Sequence, residues 1–379
     1  IMLFTILFGI ANGFQNTFNN EFNGDANNSI FIYSGRTSKA VEGYQTGRRI
    51  QFDNPLYNTL KNEFSDDIEF ITGRVYKNVI ASFGTEKSSY SVRAVNPDHQ
   101  FIQKSEIKNG RFINTLDIQN NTKNIVIGNL VVEDLFGDIN PIGKYLDLNK
   151  IKFKIVGVFV ERTEGSDSNE ARVIYMPIST AQKIYGNNDY IDQINLTYNP
   201  NLTEQEAIAL GNNMVDKIKE IFFVAENDQS AVRARNRARE NQEITQFNGV
   251  LAILVLIIGM GTLVAGVVGI SNIMIFIVKE RTKEIGIRKA LGAPPSSIKL
   301  IIVLESVFVT AISGYVGLLL GGAILNSFDL EDYWITDQGV STSLVVGATF
   351  TLILAGLIAA YVPANRAASI KPIVALRDE

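Results

Sequence analysis

Residues 247–278, FNGVLAILVLIIGMGTLVAGVVGISNIMIFIV, run for 32 positions without a charged side chain. As a helix rising 1.5 Å per residue this stretch spans about 48 Å, more than the roughly 30 Å of a hydrocarbon core. It predicts a tilted membrane helix or one that stands out of the bilayer. Two further apolar runs follow, at 298–325 and 344–362, and a shorter one opens the chain at 1–12. Twelve residues are too few for a crossing, which needs about 20. The opening run therefore reads as the outer end of a helix whose start lies before residue 1. A signal-peptide core fits less well, because no small-residue cleavage site follows.

Charge orients these helices. Residues 279–297 carry Lys279, Arg281, Lys283, Arg288 and Lys289, with Lys299 just beyond, against Glu280 and Glu284. The tail at 363–379 carries Arg366, Lys371 and Arg377. The loop at 326–343 has four acids and no Lys or Arg. The positive-inside rule places the first two in the cytoplasm and the acidic loop outside. Helix parity then puts residues 13–246 outside as well. Glycines 261, 266, 269, 314, 317, 321 and 322 allow close helix approach. Glu305 stands inside the third apolar run, where a carboxylate needs a partner or an interface.

The segment 13–246 reads as a mixed α/β domain. Residues 30–34, 68–84 and 90–96 have strand character. Asp53 and Pro55 open a helix. IVIGNLVVEDLFG gives a strand then a helix, and a turn at 141–143 leads to two strands around Asn149-Lys150. Residues 156–159 read as buried sheet. RVIYMPISTAQKIYG adds a strand and a short helix, IDQINLTY a further strand. Thr203 and Glu206 form a capping box for the next helix. A β-rich inner portion at about 97–175 is expected to interrupt the outer one. Residues 225–246 are helix-prone and read as a stalk that joins the second membrane helix. Arg233, Arg235, Arg237 and Arg239 would wrap round that stalk instead of forming one stripe. With a net charge of −4, this argues against nucleic-acid binding.

No catalytic constellation is singled out by the sequence, and carboxylate pairs that meet only in three dimensions leave no linear signal. There is no cysteine, and His99, after Asn96-Pro97-Asp98, is the sole histidine; it reads as a structural or surface residue. Neither HExxH nor GxSxG occurs. GDINPIGKY at 137–145 misses a phosphate loop: Asp138 stands at its first glycine and Tyr145 where Ser or Thr belongs. No nucleotide-binding motif, metal site or cofactor site is expected in this chain.

KERTKEIGIRKALGA at 279–293 and PANRAASIKPIVALRDE at 363–379 resemble the MacB-like and FtsX-like ABC transporter permease family. NPIGKYLDLNKIKFKIVGVF at 140–159 resembles the inner part of that family's periplasmic domain. The resemblance covers almost the whole chain. It implies an α+β membrane protein with four transmembrane helices, the first truncated in this chain, and a large periplasmic domain between the first and second. It also implies a coupling segment that docks on an ATP-binding subunit, using Glu280, Arg281, Glu284, Ile285, Gly286, Arg288, Lys289, Leu291 and Gly292, with Ile287 adding apolar contact. ATP and magnesium would be handled by that partner. The resemblance further implies a homodimer or paralogous heterodimer in membrane lipid, in the bacterial inner membrane, with a periplasmic adaptor and outer-membrane channel as further partners. The implied activity is export or extrusion of a drug, peptide, lipid or lipoprotein by mechanotransmission. The alternative is an FtsX-like signalling subunit that activates a cell-wall hydrolase. A bacteriocin sensor fits less well, since that branch has more membrane helices.

Overall fold

Strand-length alternation builds the larger of two compact units, Glu21–Ile244, in the computed structural model. The model describes residues 1–21, 26–160, 170–186, 188–327 and 342–371, with backbone alone for 15–21 and 342–344. Its elements in chain order are α1 (Met2–Glu21), β1 (Ser29–Ser34), β2 (Phe52–Asp53), α2 (Asn54–Glu63), β3 (Ile68–Phe83), β4 (Glu86–Val95), α3 (His99–Ile102), β5 (Glu106–Gly110) and α4 (Thr115–Gln119). Then come β6 (Asn124–Gly128), α5 (Asn129–Phe136), β7 (Tyr145–Leu148), β8 (Ile151–Val160), β9 (Ile174–Pro177), α6 (Ile178–Ile184), β10 (Tyr190–Ile191) and β11 (Gln193–Tyr198). The chain continues through α7 (Glu204–Ile221), β12 (Val232–Asn236), α8 (Arg237–Glu280), α9 (Thr282–Ala290), α10 (Pro295–Ser327) and α11 (Thr342–Ser369).

One ten-stranded sheet runs β12-β1-β11-β3-β4-β9-β6-β8-β5, with β7 bridging β3 and β8. Period-two burial fixes its register. In β8, Phe153 and Ile155 are buried while Lys152 and Lys154 face solvent. The β7–β8 reversal needs positive φ at both central residues, and Asn149 (50°) and Lys150 (70°) supply it. Asn149 also accepts a 3.0 Å hydrogen bond from the Ile80 amide, which ties the hairpin to β3. The anticipated helix starts are present. The Asp53 side chain caps α2 through the Leu56 amide at 2.8 Å, and Thr203 and Glu206 cap α7 reciprocally.

Strands β5 to β8, inside residues 97–175, extend the same sheet as the outer strands. The main core contains Ile32 and Leu196 from the outer part and Ile127 and Phe153 from the inner part. The stalk helix differs from its sequence reading. Helix begins only at Arg237, and Val232–Asn236 forms an edge strand antiparallel to β1. Val232 and Asn236 are buried and Arg233 to Arg235 face out. Pairing with β1 satisfies backbone groups that a freestanding helix would have had to satisfy alone. His99 also departs from its loop reading: it starts α3 and is fully buried.

The second unit comprises Ile1–Asn20 and Thr245–Glu379. Among the described residues, three helices are long and apolar enough to cross a membrane, in Arg237–Glu280, Pro295–Ser327 and Val345–Ser369, and Met2–Phe14 is a shorter apolar helix. The helices overrun their apolar limits: α8 starts ten residues before the apolar run, and α11 continues through Pro363 to Ser369. Helices α10 and α11 approach so closely at Gly356 that a Cβ there would lie 2.9 Å from the Val307 Cα. Ser306 donates to the Gly356 carbonyl at 3.1 Å in the same contact. Gly317 and Gly321 lie against α1, with Gly321 facing Thr5. Gly261, Gly266 and Gly269 face open space. The acidic loop at 326–343 and the tail beyond Lys371 fall almost wholly outside the described residues.

Candidate functional site

The charged segment between α8 and α10 folds as α9, a helix of nine residues with two distinct faces. Ile285 and Gly286 are buried, and Ile285 packs with Met274, Val278, Ile298, Ile302, Ala364 and Ala367. One turn on, Lys289 Nζ donates to the carbonyls of Ala368 and Ile370, at 2.7 Å each. Those carbonyls belong to the end of α11, where the last turn leaves acceptors unpaired and the helix dipole favours a cation. At the start of α9, Arg281 donates to both carboxylate oxygens of Glu305, at 3.1 and 3.3 Å. A carboxylate in an apolar helix thus has its counter-charge.

The other face has no partner among the described residues. Glu284, Ile287, Arg288 and Leu291 follow the i, i+3, i+4, i+7 spacing of one helical stripe. Glu284 and Arg288 pair with each other at 2.7 Å, and Glu280 is exposed beside them. Ile287 is 44 % exposed and Leu291 85 %. Gly292 then reverses the chain at φ 97°, a conformation that suits glycine, and Pro294 and Pro295 lead into α10.

This arrangement divides the residues singled out from the sequence. Arg281, Ile285, Gly286 and Lys289 hold α9 onto its own bundle. Glu284, Ile287, Arg288 and Leu291 face outward. The resemblance groups Ile285 with the docking contacts, but its side chain is committed to the chain's own core. Glu305 serves as the anchor of Arg281. The resemblance also makes Lys289 a docking charge; its bonding to carbonyls some 80 positions away carries no local signal.

In the larger unit, polar clusters brace the sheet. Arg74 faces the His99 Nε2 at 3.4 Å and donates to Gln103 at 2.8 Å. The edge of the His99–Tyr175 pair lies 5.0 Å between centroids, and Arg93 pairs with Glu170. Burial, then the Arg74 and Arg93 charges, lower the His99 pKa well below its ordinary value, so its imidazole is neutral at pH 7. A histidine neutral in the fold and protonatable when unfolded costs stability as pH falls below about 6.5. The full-length chain is expected to lose up to about 1.4 kcal/mol per pH unit there, and His99→Gln to flatten that slope. Hydrogen-exchange protection of the β4 and β9 amides between pH 7 and 5 is the measurement. Among the described residues, no group of three or more His, Asp or Glu side chains is placed to hold a metal.

Sequence comparisons with known proteins agree on one kinship. A family model described as the MacB-like periplasmic core domain matches residues 1–211, and one described as the FtsX-like permease C-terminal matches residues 250–372. A macrolide export ATP-binding/permease protein MacB from Bdellovibrio bacteriovorus is 27 % identical over 93 % of this chain and 54 % of its own length. The protein of that name from Chlorobaculum tepidum is 31 % identical over 82 % of this chain and 47 % of its own. The chain thus spans about half the length of the curated relatives it matches. Among solved structures, the periplasmic region of MacB from Actinobacillus actinomycetemcomitans aligns at TM-score 0.47 and 17 % identity, covering 59 % of this chain and 94 % of that one. The extracellular domain of the noncanonic ABC-type transporter YknZ from Gram-positive bacteria aligns at 0.46 and 17 %, covering 55 % and 100 %.

Proposed function

Because the chain belongs to the family of ABC transporter permeases with a MacB-like periplasmic core and an FtsX-like permease domain, we propose that it couples ATP hydrolysis in a partner to movement of its periplasmic domain. It is a multi-pass protein of the bacterial inner membrane, with its large domain in the periplasm. The observation that carries the coupling reading is the outward stripe of α9. Two apolar side chains and a self-neutralised ion pair, on a short helix bonded to α10 and α11, form a surface that can be gripped and pushed.

In this reading transmission runs through α8, a helix of 44 residues. Asn236, just before it, donates to the Ala207 carbonyl of α7 at 2.8 Å and accepts from the Ala238 amide at 3.0 Å. Arg239 reaches Asn212 at 2.8 Å. The start of α8 is thereby fixed to the sheet edge and to α7. Its last turns pack Met274 and Val278 against α9 to α11.

ATP and magnesium act in the ATP-binding partner, either a separate subunit or a fused domain. The permease works as a homodimer or a paralogous heterodimer. Its cargo is a drug, peptide, lipid or lipoprotein, delivered to the periplasmic side and onward to an adaptor and outer-membrane channel. Gentle membrane extraction of the full-length protein, with mass spectrometry of what co-purifies, tests this. An ATP-binding subunit with an adaptor or outer-membrane channel is the expected set. An ATP-binding subunit with a cell-wall hydrolase would replace export by signalling. Recovery with no ATP-binding partner, and none fused ahead of residue 1, would overturn the coupling role.

A further inference from the structure

The larger unit carries a basic loop whose shape is over-determined for a mere connection. Residues 35–49 contain Arg36, Lys39, Arg48 and Arg49 against one acid, Glu42, in a chain of net charge −4. The loop is closed at its neck by the Arg36–Arg49 bridge and at its tip by the Val41–Tyr44 bridge. The Thr37 amide donates to the Arg48 carbonyl at 2.9 Å, and the Gly47 amide to the Thr37 carbonyl at 2.7 Å. Asp228, fully buried, accepts from the Ser38 and Lys39 amides at 2.7 and 3.0 Å and from the Ser38 hydroxyl at 2.9 Å. The same carboxylate accepts from the Ser230 amide at 2.9 Å, so one side chain pins two loops together.

That scaffold presents an aromatic pair to solvent. Tyr44 and Phe223 stack with centroids 5.7 Å apart and an interplanar angle of 14°, yet they are 40 % and 62 % exposed. The Arg48 guanidinium lies 4.4 Å from the Tyr44 ring centroid and donates to the Phe222 and Phe223 carbonyls. Phe223 has φ 50°. That conformation closes α7: the Phe223 amide donates to the Glu220 carbonyl at 3.2 Å and the Val224 amide to the Lys219 carbonyl at 2.9 Å. The cap leaves a large apolar ring facing water, which folding alone does not favour. Arg36, Lys39 and Arg49 are exposed on the loop, and among the described residues Lys39 and Arg49 make no ion pair.

We propose that this pinned loop docks an acidic protein segment, whose apolar side chain covers the Tyr44–Phe223 pair while its carboxylates meet Lys39, Arg49 and Arg36. Charge complementarity selects the sign, and rigid aromatic anchors with flanking cations match the composition of binding hot spots. The chemistry favours an extended polyanion over a compact phosphate. The Ser38 and Lys39 amides, which could have formed an anion-binding nest, are already donated to Asp228. The remaining cations sit on long, separate stems. The inference stands on the larger unit alone and does not depend on the transport reading.

Fluorescence anisotropy of the full chain in neutral-lipid nanodiscs tests it. The probes are a labelled short peptide alternating Glu with Phe and Leu, its Gln counterpart, and phosphatidylglycerol vesicles. Binding of the Glu peptide alone is expected, weakening with salt and by at least about tenfold in Lys39→Glu/Arg49→Glu. Lys39→Gln/Arg49→Gln should show a smaller loss in the same direction. Phe223→Gly should also lose binding without lowering the melting temperature, since glycine accepts φ 50° freely. Equal binding of the Glu and Gln peptides, no effect of the charge variants, or binding of the vesicles in place of the peptide would overturn the proposal.

Discussion

Aspartate at both Ile287 and Leu291 is expected to lower partner-dependent ATP turnover by about 30-fold or more, with membrane insertion intact. The two side chains are the apolar members of the outward stripe of α9, 44 % and 85 % exposed in the chain alone. An apolar anchor that fills a partner's pocket contributes about 2 kcal/mol or more to an interface, and 2 kcal/mol corresponds to about 30-fold in an equilibrium. A buried, unpaired carboxylate adds its own desolvation cost. Neither substitution touches Ile285, Lys289 or the Arg281–Glu305 pair, so the bundle's own packing is preserved. Turnover measured with the co-purified ATP-binding subunit, against the parent, is the check. Unchanged turnover in the double variant would move the docking surface away from α9.

Asp117→Ala is expected to cost about 3 kcal/mol in the larger unit. The carboxylate is buried and accepts five hydrogen bonds. They come from Arg111 at 2.6 and 3.2 Å, Thr122 at 2.7 Å, Asn124 at 2.7 Å and the Asn114 amide at 3.1 Å. Arg111 is 44 % exposed and can return to water. The Thr122, Asn124 and Asn114 donors are half-buried, and their lost acceptor dominates the cost. Burial alone would raise the carboxyl's pKa, but hydrogen bonds from Arg111, Thr122, Asn124 and Asn114 override it and hold the pKa down at about 2. A depressed acid stabilises fully above its unfolded value, near 4, and loses that contribution as pH falls through 2. The parent chain should therefore show a stability slope between about pH 4 and 2 that Asp117→Asn lacks. The His99 window, which opens near pH 6.5, is well separated. Chemical denaturation of the full-length chain across both windows, followed by hydrogen exchange in β6 and β8, resolves the two groups.

Some of this architecture is plain in the sequence because its causes are local. Asn149-Lys150 between alternating apolar strands specifies a tight hairpin, and Thr203 with Glu206 specifies a helix start. Thirty-two uncharged residues leave few options but a membrane helix. The failures have a common cause in long-range pairing. Arg and Ala both favour helix, so the run around Arg233 and Arg235 reads as a stalk. Its assignment as a strand depends on β1, far away in the chain, whose edge it completes. His99 follows a turn-like Asn-Pro-Asp and reads as a loop, whereas Arg74 and Tyr175 decide its burial. The charged segment at 279–293 is legible as a unit but not as two faces. Ile285 and Ile287 are equally apolar and two positions apart, and only the α10–α11 pair determines which turns inward. Asp228 and Asp117 gave no signal, because a carboxylate's value as an anchor depends on donors gathered from several loops.

The most direct test of the central claim uses the absence of cysteine from the chain. Single cysteines at Leu291 and, as a lipid-facing control, at Ile253 are introduced into the full-length protein and cross-linked with a short bismaleimide in membranes containing its ATP-binding partner. The coupling account predicts a cross-link from position 291 to the ATP-binding subunit, altered in yield by ATP, and none from position 253. An ATP-binding subunit that co-purifies but does not cross-link to position 291 would contradict it.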